Sequence, residues 1–182
     1  MKLETKRLIL RIPIMKDIND LIENINDLNV SKYLLVVAYP YTKKDAKWWI
    51  NHCKEEANEE PRKSYGFNIE LKSKKRIIGG VGLSKVNEEQ GTAEIGYWLG
   101  GGHHRQGIMS EAVETILNFA FKKLKLRRIE AEVFAGNQAS SNLLKKFGFK
   151  FEGLKRRAVK AKATGKIHDA EIYGLLKEEW VK

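Results

Sequence analysis

A chain of 182 residues, 42% hydrophobic and 31% charged, can bury a core without disulfides or metals, and one domain spanning residues 1–182 is expected. The net charge of +11 suits anionic partners such as a phosphorylated cofactor, RNA or a ribosomal surface, and it equally suits a merely well-solvated surface. No apolar run approaches a membrane span and the N-terminus lacks an apolar leader, so a cytoplasmic protein without a membrane partner is expected; the lone Cys53 reads as buried and inert.

Leu8 to Ile12 reads as an opening strand ended by Pro13. Asp17 is placed to cap a helix in which Ile18, Leu21, Ile22 and Ile25 recur at helical spacing. Thr42 and Asp45 form a near capping box for a second helix, expected to run to about Glu60 before Pro61. Trp48 and Trp49 on it read as core and lid residues. Three strands follow, Tyr65 to Leu71, Arg76 to Val86 and Ala93 to Leu99, and their short connections predict an antiparallel meander. Met109, Ala112, Val113, Ile116, Leu117, Ala120 and Leu124 then trace the clearest helix. A strand at Ile129 to Val133 comes next. Asn137 is a good N-cap for a short helix ending near Gly148. Phe149 to Arg157 and Ile167 to Leu176 read as a closing hairpin. The order predicts a mixed α+β class.

The segment joining the third meander strand to the long helix carries the chemistry. Gly100, Gly101 and Gly102 lead through His103, His104, Arg105 and Gln106 to Gly107 and the helix start. A helix N-terminus behind a glycine offers free N–H groups and a positive dipole end, a natural cradle for a pyrophosphate. A flexible basic turn is the alternative on spacing alone. The segment lacks the Gly-Lys-Ser/Thr ending of a P-loop and the dinucleotide fingerprint. Adjacent histidines diverge on a loop, and no third ligand accompanies His103 and His104, so no metal is expected.

Six segments, in this order, resemble the GNAT acetyltransferases, and in particular the RimJ/RimL type that acetylates ribosomal-protein N-termini. They are Thr5 to Arg11, Tyr39 to Ala46, Ala93 to Gly100, Gln106 to Ala112, Asn137 to Phe149, and Asp169 to Leu176 with Glu179-Trp180. The resemblance implies the GNAT fold, a mixed, mostly antiparallel twisted sheet of about seven strands flanked by about four helices. It implies acetyl-CoA as co-substrate and direct transfer of its acetyl group to a primary amine. The acceptor implied is the N-terminal α-amine of a ribosomal protein, with possible ribosome association. A polyamine or aminoglycoside acceptor, and a non-enzymatic RNA-binding module, are the alternatives.

The resemblance also assigns residues. Backbone groups of Trp98 and Leu99 would hold the pantetheine arm, with Asn137 beside it. His104, Arg105, Gln106, Gly107, Ile108, Met109 and Ser110 would hold the pyrophosphate, with Lys146 in reach of a phosphate. The wider family has Arg or Gln where this chain has His104, and Gly or Ala where it has Met109. Those departures shift the expected grip from side chains to the N–H groups of Gln106 to Ser110. Ser140 is placed near the sulfur, to assist the leaving thiolate, and Glu94 is the candidate base; a position on the core face and a sheet hydrogen bond are their plain alternatives. Tyr173 is a further polar group, facing the thioester or buried in the core. Lys155 to Lys166 carries six positive charges and no negative one, on the hairpin that lies beside the acceptor site in this family. It contacts RNA, an acidic protein tail or the cofactor, or is simply solvated. The family occurs as monomers and homodimers.

Overall fold

Residues 1–180 are described in the computed structural model. Eight strands form one sheet: β1 (Lys2–Glu4), β2 (Leu8–Arg11), β3 (Tyr65–Leu71), β4 (Arg76–Asn87), β5 (Thr92–Leu99), β6 (Arg128–Phe134), β7 (Lys150–Lys160) and β8 (Ile167–Leu176). Their spatial order is β1-β2-β3-β4-β5-β6-β8-β7. Only the β5–β6 pair is parallel. The expected count of about seven misses β1, whose three residues expose Lys2 and Glu4 and carry too short a pattern to read.

The helices are α1 (Ile18–Ile25), α2 (Leu28–Ser31), α3 (Lys43–Ala57), α4 (Ile108–Asn118) and α5 (Gln138–Lys146). The larger core lies between the sheet and α4 with α5. There Ala112, Val113, Ile116, Leu117 and Leu144 meet Phe67, Ile69, Val81, Ile95, Ile129, Val133 and Tyr173. Each fully buried aliphatic chain in such a layer contributes roughly 1.5–3 kcal/mol. On the opposite face, Leu21 and Ile25 of α1 and Ala46 and Ile50 of α3 pack on Ile77 and Trp98. The sheet is thus sandwiched, as alternation along β3 and β5 requires.

Several boundaries differ from expectation for local reasons. Asp17 does not cap α1 with its side chain. It is 3% exposed and holds Arg11 through two hydrogen bonds of 2.7 and 2.9 Å, while accepting the N–H of Ile14. Helix α3 has its full capping box between Thr42 and Asp45 but ends at Ala57, where Asn58 leaves helical geometry. The long helix gives way after Asn118 to a wider π turn over Phe119–Lys123. This lets Phe119 and Phe121 both be buried, which strict helical spacing would not favour. Cys53 is buried, and desolvation pushes its thiol up to about 12, which leaves it inert.

Candidate active site

Strands β5 and β6 pair only from Thr92↔Arg128 to Glu94↔Glu130. Beyond Glu94, β5 continues along β4 as far as Leu99, while β6 continues along β8 as far as Phe134. The facing edges of Ile95–Leu99 and Ala131–Phe134 therefore diverge without pairing each other, and a wedge opens in the middle of the sheet. Open strand edges seek a partner, and an extended chain can supply one. Two glycines let the end of β5 sit against β4. A Cβ at Gly79 would lie 2.6 Å from the Trp98 carbonyl oxygen, and one at Gly80 would lie 2.5 Å from the Trp98 indole nitrogen. Trp98 thus lies flat across Gly80.

Past the end of β5 the loop delivers the start of α4 to the same wedge. Gly107 is the N-cap at φ 72°, a left-handed conformation that suits glycine, and no side chain caps the helix. The first intrahelical bond runs from Glu111 N–H to Gly107 O, so the preceding N–H groups of Ile108, Met109 and Ser110 have no carbonyl one turn below. The side chain of His104 does not reach toward them: its Nε2 is hydrogen-bonded to Leu99 O at 2.9 Å. Gln106 likewise turns inward and donates to Gly102 O. Arg105 is exposed, and Met109 packs against the main core. Lys146 comes from α5 and donates to Ser110 Oγ at 3.2 Å, which places an ammonium group at the helix start.

Two members of this site, Arg7 and Tyr97, are not singled out by the sequence. Arg7 donates to Gln106 O at 2.9 Å and to Glu111 Oε2 at 2.6 Å, and its guanidinium passes 3.6 Å from where a Gly107 Cβ would be. Glu111 also accepts from Thr5 Oγ1 and from the N–H of Arg7. Burial opposes the charge of Glu111, but the bonds from Thr5 and Arg7 outweigh it and hold its carboxyl below the ordinary value. The chain start thereby clamps the loop to α4 and brings a second cation to the helix N-terminus. Thr5-Lys6-Arg7 was visible as a segment, but nothing in it announced a bond across a hundred residues.

The other wall of the wedge is the start of α5. Asn137 caps it, its side chain accepting from Ser140 N. Ser140 Oγ lies 2.8 Å from Tyr97 Oη, which joins β5 to α5 across the wedge. Burial, eased by the bond to Ser140, raises the Tyr97 phenol to about 12, so it stays protonated at neutral pH. Alternation along β5 puts the Tyr97 ring against the main core, and its hydroxyl is the part that reaches the wedge. Next to this pair, Glu171 accepts from Ser141 Oγ at 2.8 Å and from Tyr173 Oη at 2.7 Å. Tyr173 is 2% exposed and belongs to the core. Glu94 lies at the root of the wedge, on the opposite face. It is not a lone carboxylate among apolar neighbours, because Lys85 reaches it from a bulge in β4 at 2.7 Å.

Above Glu94 that face is bare. Gly66, Gly82 and Gly96 are in register across β3, β4 and β5. A Cβ at Gly66 or Gly96 would meet nothing within 4 Å. Among the described residues, no three His, Cys, Asp or Glu side chains converge as a metal site, and no helix is long and apolar enough to cross a membrane.

A parallel pair that splays beside an uncapped, glycine-led helix start offers open strand edges and free N–H groups, a combination with the chemistry to take an extended, phosphate-bearing ligand. Residues 7–150 match the family model of the GNAT acetyltransferase domain. The chain is 36% identical to an uncharacterized N-acetyltransferase, p20, of Bacillus licheniformis, over 98% of this chain and 97% of that one. A ribosomal-protein-serine acetyltransferase of Escherichia coli is 32% identical over 45% of this chain and 46% of its own. The fold is shared with the microcin C7 self-immunity acetyltransferase MccE, solved with acetyl-CoA and AMP, at a TM-score of 0.77 and 22% identity over 94% of this chain and 93% of that one. This chain belongs to the GNAT acetyltransferase family and is an acyltransferase.

Proposed function

We propose that the protein transfers an acetyl group from acetyl-CoA to the N-terminal α-amine of a protein, in the manner of the RimJ/RimL type. The observation that carries this is the meeting, at one wedge, of an open β5 edge, an uncapped α4 start and the Tyr97–Ser140 pair. The pyrophosphate would be held by the N–H groups of Ile108, Met109 and Ser110, with Arg7, Arg105 and Lys146 supplying charge. The pantetheine arm would run along Trp98 and Leu99, with Asn137 on its other side. MccE supports the donor, since it was solved with acetyl-CoA. The relative that acts on ribosomal-protein serine supports the acceptor.

Helices α4 and α5 close one face of the wedge, so the acceptor approaches over the bare face at Gly96. There its amine nitrogen would approach the face of the thioester carbonyl. Tyr97, protonated and 2.8 Å from Ser140, is placed to give a hydrogen bond or a proton to the leaving thiolate through the serine hydroxyl. Glu94 receives the amine proton at the root of the wedge, its charge balanced by Lys85. A polycationic acceptor is less well served. Glu94, Glu130 and Glu132, which would have to attract it, already pair with Lys85, Arg128 and Lys155. An RNA-binding module would make no use of the wedge.

The test is mass spectrometry of the protein with acetyl-CoA and a panel of N-terminal peptides, polyamines and aminoglycosides. One acetyl group on the peptide α-amine is expected. Acetylation confined to the polyamines or aminoglycosides would overturn the acceptor class.

A further inference from the structure

A second cavity lies beyond the wedge, on its acceptor face. It has a volume of about 150 Å³ and is lined by Lys32, Tyr33, Thr164, Lys166 and His168. Lys32 and Tyr33 follow α2, and the other three come from the β7–β8 turn and the start of β8. The pocket is thus formed by two segments that meet only in the folded chain. His168 stacks on Phe134, with ring centroids 5.4 Å apart, and Phe134 with Val159, Ala161 and Ala170 makes a small apolar base beneath it. The ring is fixed, yet its Nε2 is buried and has no hydrogen-bond partner. A buried, unpaired imidazole nitrogen costs stability unless a ligand supplies the missing bond.

The lining decides what that ligand is. The residues that line it are two lysines, a histidine, a tyrosine and a threonine, and none carries a carboxylate. Neither Lys32 nor Lys166 forms an ion pair among the described residues; Lys32 donates to Asn29, and its ammonium lies 5.1 Å from the centroid of the Tyr33 ring. Such a set repels cations and matches the oxygens of an anion. The volume holds a carboxylate and a few waters, each occupying roughly 30 Å³, and is too small for a stretch of nucleic-acid backbone.

Its position supplies the geometry. On β6, Glu130 marks the root of the wedge, and Phe134, beneath His168, lies four residues along the same strand. At strand rise this is about 13 Å, which an extended peptide with its α-amine at the root spans with its fourth or fifth residue. We propose that this cavity is an anion subsite that reads an acidic side chain near the fourth position of the acceptor peptide. The inference rests on the N-terminal acceptor proposed above, and names the kind of N-terminus selected.

The test walks one glutamate through positions 2 to 6 of an otherwise neutral hexapeptide, with glutamine at the same position as control. Acetylation is followed by mass spectrometry, and the His168 ring signals are followed by NMR without acetyl-CoA. The expected result is a KM lower by roughly tenfold for glutamate than for glutamine, at one or two adjacent positions centred near the fourth. Only those glutamate peptides should shift the His168 ring. Lys32→Ala with Lys166→Ala should bring the glutamate-to-glutamine ratio close to one. Lys162→Ala, outside the cavity, should keep the ratio and so exclude a general charge effect. Equal KM values at every position, or a ratio untouched by the double variant, would overturn the subsite. If no peptide is acetylated, the acceptor reading fails by itself and the NMR arm still decides. A ring that no glutamate peptide shifts, or that only an RNA oligonucleotide shifts, refutes the proposal.

Discussion

Replacing Tyr97 by phenylalanine removes one oxygen and leaves the ring in place. The lost contact is the 2.8 Å bond to Ser140 Oγ. A neutral hydrogen bond of this kind contributes about 1 kcal/mol to stability, and at this chain length Tm should fall by roughly 2–4 °C. The catalytic effect should be much larger. If the phenol supplies the proton or hydrogen bond to the leaving thiolate, kcat falls by about 100-fold or more, equivalent to about 2.7 kcal/mol in the barrier. Affinity for acetyl-CoA should not change, since the cofactor's phosphates are held elsewhere. Ser140→Ala should cost a similar factor, and the double variant little more than either single one, because the two groups act as one relay. The assay is release of free CoA thiol with a saturating peptide acceptor, with Kd for acetyl-CoA measured separately by calorimetry. A Tyr97→Phe enzyme whose kcat stays within about twofold of the parent, or a double variant whose losses multiply, would refute the relay.

Gly96→Val tests the bare face: a Cβ there meets nothing within 4 Å and a β-branched residue suits a strand, so the fold should tolerate it. Acceptor KM should rise by about tenfold or more in kinetic assays, while acetyl-CoA affinity is kept. Glu111→Gln tests the clamp on the loop. The carboxyl of Glu111 is held below its ordinary value of 4.5, so its contribution is present above that pH and is lost as pH falls through the lowered value. Because Arg7 is partly exposed, that contribution is no more than about 1 kcal/mol, and urea titrations across the acid range should show the variant losing less stability on acidification than the parent. Asp17→Ala should cost about 1–3 kcal/mol in the same titrations, since it removes two charge-assisted hydrogen bonds from Arg11 and leaves it the Glu70 carboxylate.

Much of this fold was readable wherever periodicity spans a whole element. Ala112, Val113, Ile116 and Leu117 show the buried stripe of α4, and Tyr65, Phe67 and Ile69 alternate as β3 requires. Elements too short for a period, such as β1 and α2, left no such trace. The uncapped start of α4 was legible because it is a local feature, a glycine before a helix. The contacts that complete it are not local. Arg7 reaches the α4 start across 104 residues and Lys146 across 36; Arg7 looks like an ordinary surface cation in the sequence, and only the family resemblance singles out Lys146. Tyr97 was hidden for another reason. Alternation places its ring on the core face, and only the divergence of β5 from β6 turns a core residue into one that lines the wedge. The partner of Glu94 left no trace in the sequence, since the left-handed bulge at Lys85 that brings the ammonium over has no marker glycine.

The most direct test is an amide NMR titration of the intact protein with acetyl-CoA. The account predicts saturable binding, with the largest shifts at the N–H groups of Gln106 to Ser110 and along Trp98 and Leu99. Absence of binding, or binding that leaves those amides unmoved, would contradict it.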